Sequence, residues 1–176
     1  NDCDPFHVNG IDLLNDAATA RIPGTKAGDL LVSLRSSSAL VVLDQNDGHI
    51  EKIISGPMVA QHSPRVLPDG RIAVFDNLGG LDTKNGSRVL VIDPLSGEDH
   101  TIFPVLPGQP GDDLLAEQQG GINFSADGKR VLIAETVGGR VFEAEVGSGR
   151  ALWQLNAISD LRPFQKLTGQ TDGKPN

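Results

Sequence analysis

Tyrosine is absent from this 176-residue chain, and cysteine, methionine and tryptophan occur once each. The lone Cys3 has no partner for an intrachain disulfide and no second cysteine with which to build a zinc site. No apolar run approaches the ~20 residues that a membrane-crossing helix requires. Basic residues are in deficit: 15 Lys and Arg face 23 Asp and Glu, and the net charge of −8 repels phosphate backbones and anionic lipid. Nucleic acid and membrane surfaces are therefore not expected as partners. Also missing are the Gly-x-Ser-x-Gly elbow of serine hydrolases, the Gly-Lys-Ser or Gly-Lys-Thr of phosphate-binding loops and a His-Glu-x-x-His helix, and the chemistries that rest on them go with them. No pattern asks for a cofactor or a metal.

What is plentiful is punctuation. Twenty-one Gly and 11 Pro cut the chain into short Val, Ile and Leu runs, too short for periodic helices, which points to an all-β fold. The length suits a single domain.

Aligning the chain with itself reveals a period. Leu40 to Gly48, Val89 to Gly97 and Val141 to Gly149 each run as an apolar strand, an acid (Asp44, Asp93, Glu145) and a glycine four residues later, at separations of 49 and 52 residues. An acid that accepts from turn amides, followed by Gly at positive φ, is what a tight hairpin needs. A matching strand precedes each unit: Gly28 to Arg35, Gly70 to Asn77 and Gly128 to Glu135. Before those come His7 to Leu14, His62 to Pro68 and Gly120 to Ala126; after each turn comes a fourth strand, His49 to Ser55, Glu98 to Val105 and Arg150 to Asn156. Four antiparallel strands at a period of ~40 to 50 residues describe β-propeller blades.

The fold expected is thus an all-β propeller with three blades in this chain, at about 7–55, 62–105 and 120–156, half of a six-blade ring. Residues 1–166 are read as one domain, with 161–164 beginning a further element or cap and 167–176 as a flexible tail. Propellers close with ~4 to 8 blades, so either the chain is part of a longer propeller or a homodimer or a second chain is expected to complete the ring.

First strands of propeller blades line the central channel, and equivalent positions converge on its axis. His7, His62 and Gly120 are equivalent, and Asn9, two residues after His7, shares its face. Second strands end on Arg35, Asn77 and Glu135, polar where a core would be apolar. Together His7, Asn9, Arg35, His62, Arg65 and Asn77 supply imidazoles, amides and guanidinium groups suited to a small anionic ligand, an oxyanion such as a sulfate or carboxylate. Arg65 is included although its odd spacing from His62 turns it toward the other face. The Asp44-Gln45-Asn46-Asp47-Gly48 stretch is similar to the opening of a calcium loop, but no acid follows at EF-hand distance, and it reads as a repeat turn. His49 and His100, just after such turns, read as solvent-facing.

Residues 4–12 (DPFHVNGID), 28–44 (GDLLVSLRSSSALVVLD), 61–77 (QHSPRVLPDGRIAVFDN) and 87–97 (SRVLVIDPLSG) resemble, in that order, the arylsulfotransferase (ASST) family of β-propellers. The likeness spans roughly residues 4–156, strongest at His-x-Asn, Ser-x-Arg, Gln-His and Phe-Asp-Asn. It implies transfer of a sulfuryl group from a phenolic ester to another phenol without a nucleotide donor, and a periplasmic or secreted location. It further implies channel histidines, one transiently sulfated, with an arginine and an asparagine on the sulfuryl oxygens; the matching positions are His7 with Asn9, Arg35, and His62 with Asn77. Where the family has a further channel histidine, this chain has Gln119-Gly120-Gly121, so the nucleophile falls to His7 or His62. Phe6 and Phe75 are the aromatic residues near these positions. The alternative is a non-catalytic propeller that binds or assembles.

Overall fold

The computed structural model describes residues 4–80, 86–105, 114 and 116–156; the expectations for 161–164 and for the 167–176 tail lie outside the described residues. Twelve strands form three antiparallel four-stranded sheets among these residues. The first holds β1 (Val8–Leu13), β2 (Leu30–Leu34), β3 (Ala39–Leu43) and β4 (Ile50–Ser55). The second holds β5 (His62–Val66), β6 (Ile72–Gly80), β7 (Gly86–Ile92) and β8 (Asp99–Phe103), and the third β9 (Gly121–Phe124), β10 (Arg130–Glu135), β11 (Arg140–Glu145) and β12 (Ala151–Asn156). Each sheet keeps its strands in chain order, the up-and-down meander of a propeller blade.

The acid-glycine turns form as their chemistry requires. Asp44 and Asp93 accept the amides of Asn46 and Leu95 on a side-chain oxygen, and Gly48, Gly97 and Gly149 donate back to the carbonyls of Asp44, Asp93 and Glu145. All three glycines hold positive φ, between 67° and 77°.

Packing between blades follows the alternation of the middle sheet. On β6, Ile72 and Val74 face the core shared with blade 1, and Ala73 and Phe75 face the core shared with blade 3. On β7, Leu90 and Ile92 take the first side and Val89 and Val91 the second. A sheet buried on both faces must be apolar at consecutive positions, which is why Ile72 to Phe75 and Val89 to Ile92 read as unbroken apolar runs. β10 lies in an outer blade and alternates instead, with Val131 and Ile133 buried between exposed Arg130 and Leu132.

One element departs from the all-β expectation: α1 (Asp16–Arg21) lies between β1 and β2. Asn15 caps it, its side-chain oxygen accepting from the Ala18 amide at 2.8 Å. Asp16 in the first turn and Arg21 in the last complement the helix dipole. Ala18 and Ile22 enter the core between blades 1 and 2. The helix rests on the turn before β6 so closely that a Cβ on Gly70, at φ +83°, would meet the Ala17 backbone at 2.3 Å.

The seam between blades is stitched by side chains from one first strand to the backbone of the next. Asn9 donates to the Gln61 carbonyl at 2.8 Å, Asp12 accepts the Val66 amide at 2.8 Å, and Asn15 donates to the Leu67 carbonyl at 2.9 Å. Ser63 repeats the device one blade on, meeting both the amide and the carbonyl of Ile122 at 3.2 Å.

Candidate functional site

At one end of the first strands, His7, Arg35, His62, Gln118 and Gln119 line an open pocket of about 510 Å³. Two strand ends bring these side chains together: the Arg35 amide donates to the His7 carbonyl at 3.1 Å, and the two imidazoles meet edge to face with centroids 6.4 Å apart. His7 is exposed, and Asp4 holds it, accepting its amide at 2.9 Å and standing 3.1 Å from its Nδ1. His62 is buried, with 8% of its surface exposed.

The orientation of His62 follows from its neighbour. Asn77 donates through Nδ2 to the carbonyls of Ala116 and Gln119, so its Oδ1 is the atom facing His62 Nδ1, at 2.7 Å. An oxygen there accepts only, and the Nδ1 position therefore carries the proton. Nε2 is left as the basic atom of neutral His62. Burial pushes its pKa below the ordinary histidine value, helped by the charges of Arg35 and His7; hydrogen bonds to Asn77 and the Ala60 carbonyl pull the other way. The imidazole is thus kept neutral beside a guanidinium group.

Asn77 is itself anchored from below. Its neighbour Asp76 is completely buried, accepts the amides of Val59 and Gly79 at 2.7 and 3.1 Å, and pairs with Arg88 at 2.8 Å. Burial raises the Asp76 carboxyl above its usual range, while those amides and the guanidinium pull it back. Backbone strain gathers at the same place. His7, Ala60 and Ser63 hold left-handed φ of +50°, +55° and +52°. Each such non-glycine residue costs about 1 to 2 kcal/mol, which the surrounding hydrogen bonds must hold in place.

Comparison with known proteins places this architecture. The family described as Arylsulfotransferase (ASST) matches residues 1–156. The chain belongs to the arylsulfotransferase family. Among solved structures it is similar to hydrazine synthase of Kuenenia stuttgartiensis (17% identity, TM-score 0.54, covering 89% of this chain and 37% of that one). It is also similar to virginiamycin B lyase from Staphylococcus aureus (14%, 0.52, 87% and 42%) and to the Cps50 (Swd1) β-propeller domain of Myceliophteria thermophila (15%, 0.51, 88% and 45%). These likenesses concern the fold, and the chain spans less than half the length of each. No curated protein matches it.

In this arylsulfotransferase-family propeller, the sequence-derived set divides. His7, Arg35 and His62 line one pocket, and Asn77 stands directly behind His62. Asn9 does not share the face of His7: the register shifts between Val8 and Gly10, and the Asn9 amide turns into the blade seam, leaving its Oδ1 buried without a donor. Arg65 lies elsewhere, lining a second pocket with Asp12, Asn15 and Asn123; the register shifts between His62 and Arg65, so simple alternation does not relate the two. Gln61 of the Gln-His motif is a buried seam residue, donating to Ser33 Oγ and the Ala39 carbonyl. Phe75 is fully buried and cannot stack on a ligand, whereas Phe6 is 59% exposed. Two residues escaped the sequence reading. Gln118, which lines the pocket beside Gln119, precedes a strand with no histidine to mark it, and Asp4, which holds His7, acts through a local turn that periodicity does not record.

Proposed function

We propose that this chain is an arylsulfotransferase-like propeller that binds an aryl sulfate at His7, Arg35 and His62 and transfers its sulfuryl group to a second phenol. The observation that carries the reading is the His62 to Asn77 hydrogen bond, which keeps Nε2 basic beside Arg35. In the first half-reaction Nε2 of His62 attacks sulfur, the bond from sulfur to the aryl oxygen breaks, and protonated His7 gives its proton to the departing phenolate. In the second, His7 takes the proton of the acceptor phenol as that oxygen attacks sulfur and the nitrogen–sulfur bond breaks. Arg35 offsets charge on the sulfuryl oxygens, and Asp4, 3.1 Å from His7 Nδ1, holds the His7 ring in place. Exposed Phe6, next to His7 in the chain, is available to stack on an aryl ring. The remaining blades come from a second copy, a second chain or further sequence of a longer propeller, and the family resemblance favours a periplasmic or secreted location.

A second reading, binding without turnover, is favoured by the third blade. A Cβ at Gly120 would lie 2.5 Å from Phe75 Cε1, so no histidine fits at that first-strand position, and glutamines stand there instead. The deciding experiment incubates the protein, in its solution assembly, with 4-nitrophenyl sulfate and a phenol acceptor, following both phenol release and the sulfated product by mass spectrometry. Transfer that vanishes in His62→Ala, with a sulfated protein intermediate trapped in the wild type, supports the first reading. Transfer undiminished in His62→Ala refutes it, and sulfate binding lost in Arg35→Ala without any transfer selects the second.

A further inference from the structure

The turn between β3 and β4 carries more charge than its geometry needs. In all three blades the acid that opens this turn and the glycine that closes it make the same backbone bond. The positions taken by Asp47, His49 and Glu51 in blade 1 are Ser96, Glu98 and His100 in blade 2, and Ser148, Arg150 and Leu152 in blade 3. The fold therefore accepts quite different side chains there.

In blade 1 these side chains converge. Ligand atoms of Asp44, Asp47 and His49 lie within 4.8 Å of one another, and His49 Nδ1 is 2.6 Å from Asp47 Oδ1. His49 Nε2 faces Glu51 Oε1 at 3.9 Å. The Glu51 side chain is only 8% exposed, and its other oxygen, Oε2, is buried with no hydrogen-bond partner. Its carboxyl group also lies in contact with that of Asp29, which is fully buried and already accepts the amides of Lys26 and Gln45. Four carboxyl groups thus share one side-chain ammonium, that of Lys26, which bonds Asp44 at 3.0 Å. Two buried carboxyl groups in contact, as Glu51 and Asp29 are, are stabilised by a shared proton or by a cation that takes its place.

We propose that this turn is a binding site for a divalent transition-metal ion, ligated by Asp44, Asp47 and His49 with Glu51 closing the inner side. The imidazole selects the class of ion: a nitrogen donor among carboxylates suits Zn²⁺ or Mn²⁺ better than Ca²⁺, which takes oxygen. Metal–ligand bonds of about 2.0 to 2.2 Å put neighbouring ligand atoms about 3 to 4 Å apart, and the exposed side chains of Asp47 and His49 can rotate to close the remaining gap. Lys26, 64% exposed, is free to swing away.

The test is calorimetric titration of the metal-stripped protein with ZnCl₂, MnCl₂ and CaCl₂, alongside thermal unfolding with and without each salt. One Zn²⁺ or Mn²⁺ is expected per chain at this site, raising the unfolding temperature, and His49→Gln and Asp47→Asn should each weaken it at least tenfold. Both residues are exposed, so the variants fold; circular dichroism checks this. His100→Gln should leave binding unchanged. Zn²⁺ and Mn²⁺ isotherms identical in wild type and His49→Gln overturn the proposal, as does Ca²⁺ binding tighter than either.

Discussion

Gly120→Ala isolates the contact that shapes the third-blade side of the pocket. Gly120 does not occupy the left-handed region, so alanine is conformationally acceptable there and only packing decides the outcome. The new Cβ would stand 2.5, 2.6 and 2.7 Å from Cε1, Cζ and Cδ1 of Phe75. Carbon atoms prefer about 3.5 to 4.0 Å, so the ring or the strand must move by about 1 Å. The ring has nowhere to go: Phe75 is fully buried, and β6 is paired on both sides. Overpacking of this kind costs about 1 to 3 kcal/mol. With a urea slope of about 2 kcal/mol per molar, the unfolding midpoint should fall by about 0.5 to 1.5 M. In a Phe75→Leu background the obstructing ring atoms are gone, and the same substitution should cost nearly nothing, a coupling of about 1 to 3 kcal/mol. Gly120→Ala within about 0.3 kcal/mol of wild type, or an equal cost in both backgrounds, would refute the account.

Arg88→Met removes the guanidinium from buried Asp76 and should cost about 3 to 5 kcal/mol in urea unfolding; adding Asp76→Asn should recover part of that loss, and a doubly substituted protein no more stable than Arg88→Met would sink the idea. The lowered folded-state pKa of His62 means that the unfolded chain binds this proton more tightly. Its contribution is complete above the ordinary value of about 6.5 and declines as pH falls through it, so urea midpoints should drop between about pH 7.5 and 5.5 and drop less in His62→Gln. Asn77→Asp should favour the cationic imidazole and move the acid limb of the transfer–pH profile upward by about one unit or more, whereas an unmoved profile would mean that Asn77 does not control His62.

Strand positions were legible because the repeat carries its own punctuation. An acid, a four-residue interval and a glycine define both ends of the β3–β4, β7–β8 and β11–β12 hairpins without reference to anything distant. Helix α1 was not legible for the opposite reason. Six residues are too few for a periodic signal, and its cap, Asn15, is held by a carbonyl 52 residues away. Of the residues picked out by type, His7, Arg35 and His62 come together at one pocket with Asn77 behind His62, whereas Asn9 turns into the blade seam, where a register shift between Val8 and Gly10 interrupts the pleat. Phe75 illustrates the remaining limit: proximity to a motif does not tell whether a ring faces the ligand or the core, which only the packing of blade 3 against blade 2 decides.

The seam between blades has a consequence for how freely such a sequence can drift. Asn9, Asp12, Asn15 and Ser63 each grip main-chain atoms of the neighbouring blade, and main-chain atoms are the same whatever residue supplies them. At these four contacts the receiving side imposes no residue type, and only the gripping side is constrained. As far as these contacts go, a substitution at Val66, Leu67 or Ile122 need not be answered by one across the seam, whereas Gln61 also meets the Ser33 side chain and is tied to it. Covariation between blades should accordingly be weak at these pairs and concentrated in the apolar cores, where side chain meets side chain on both faces of the middle sheet.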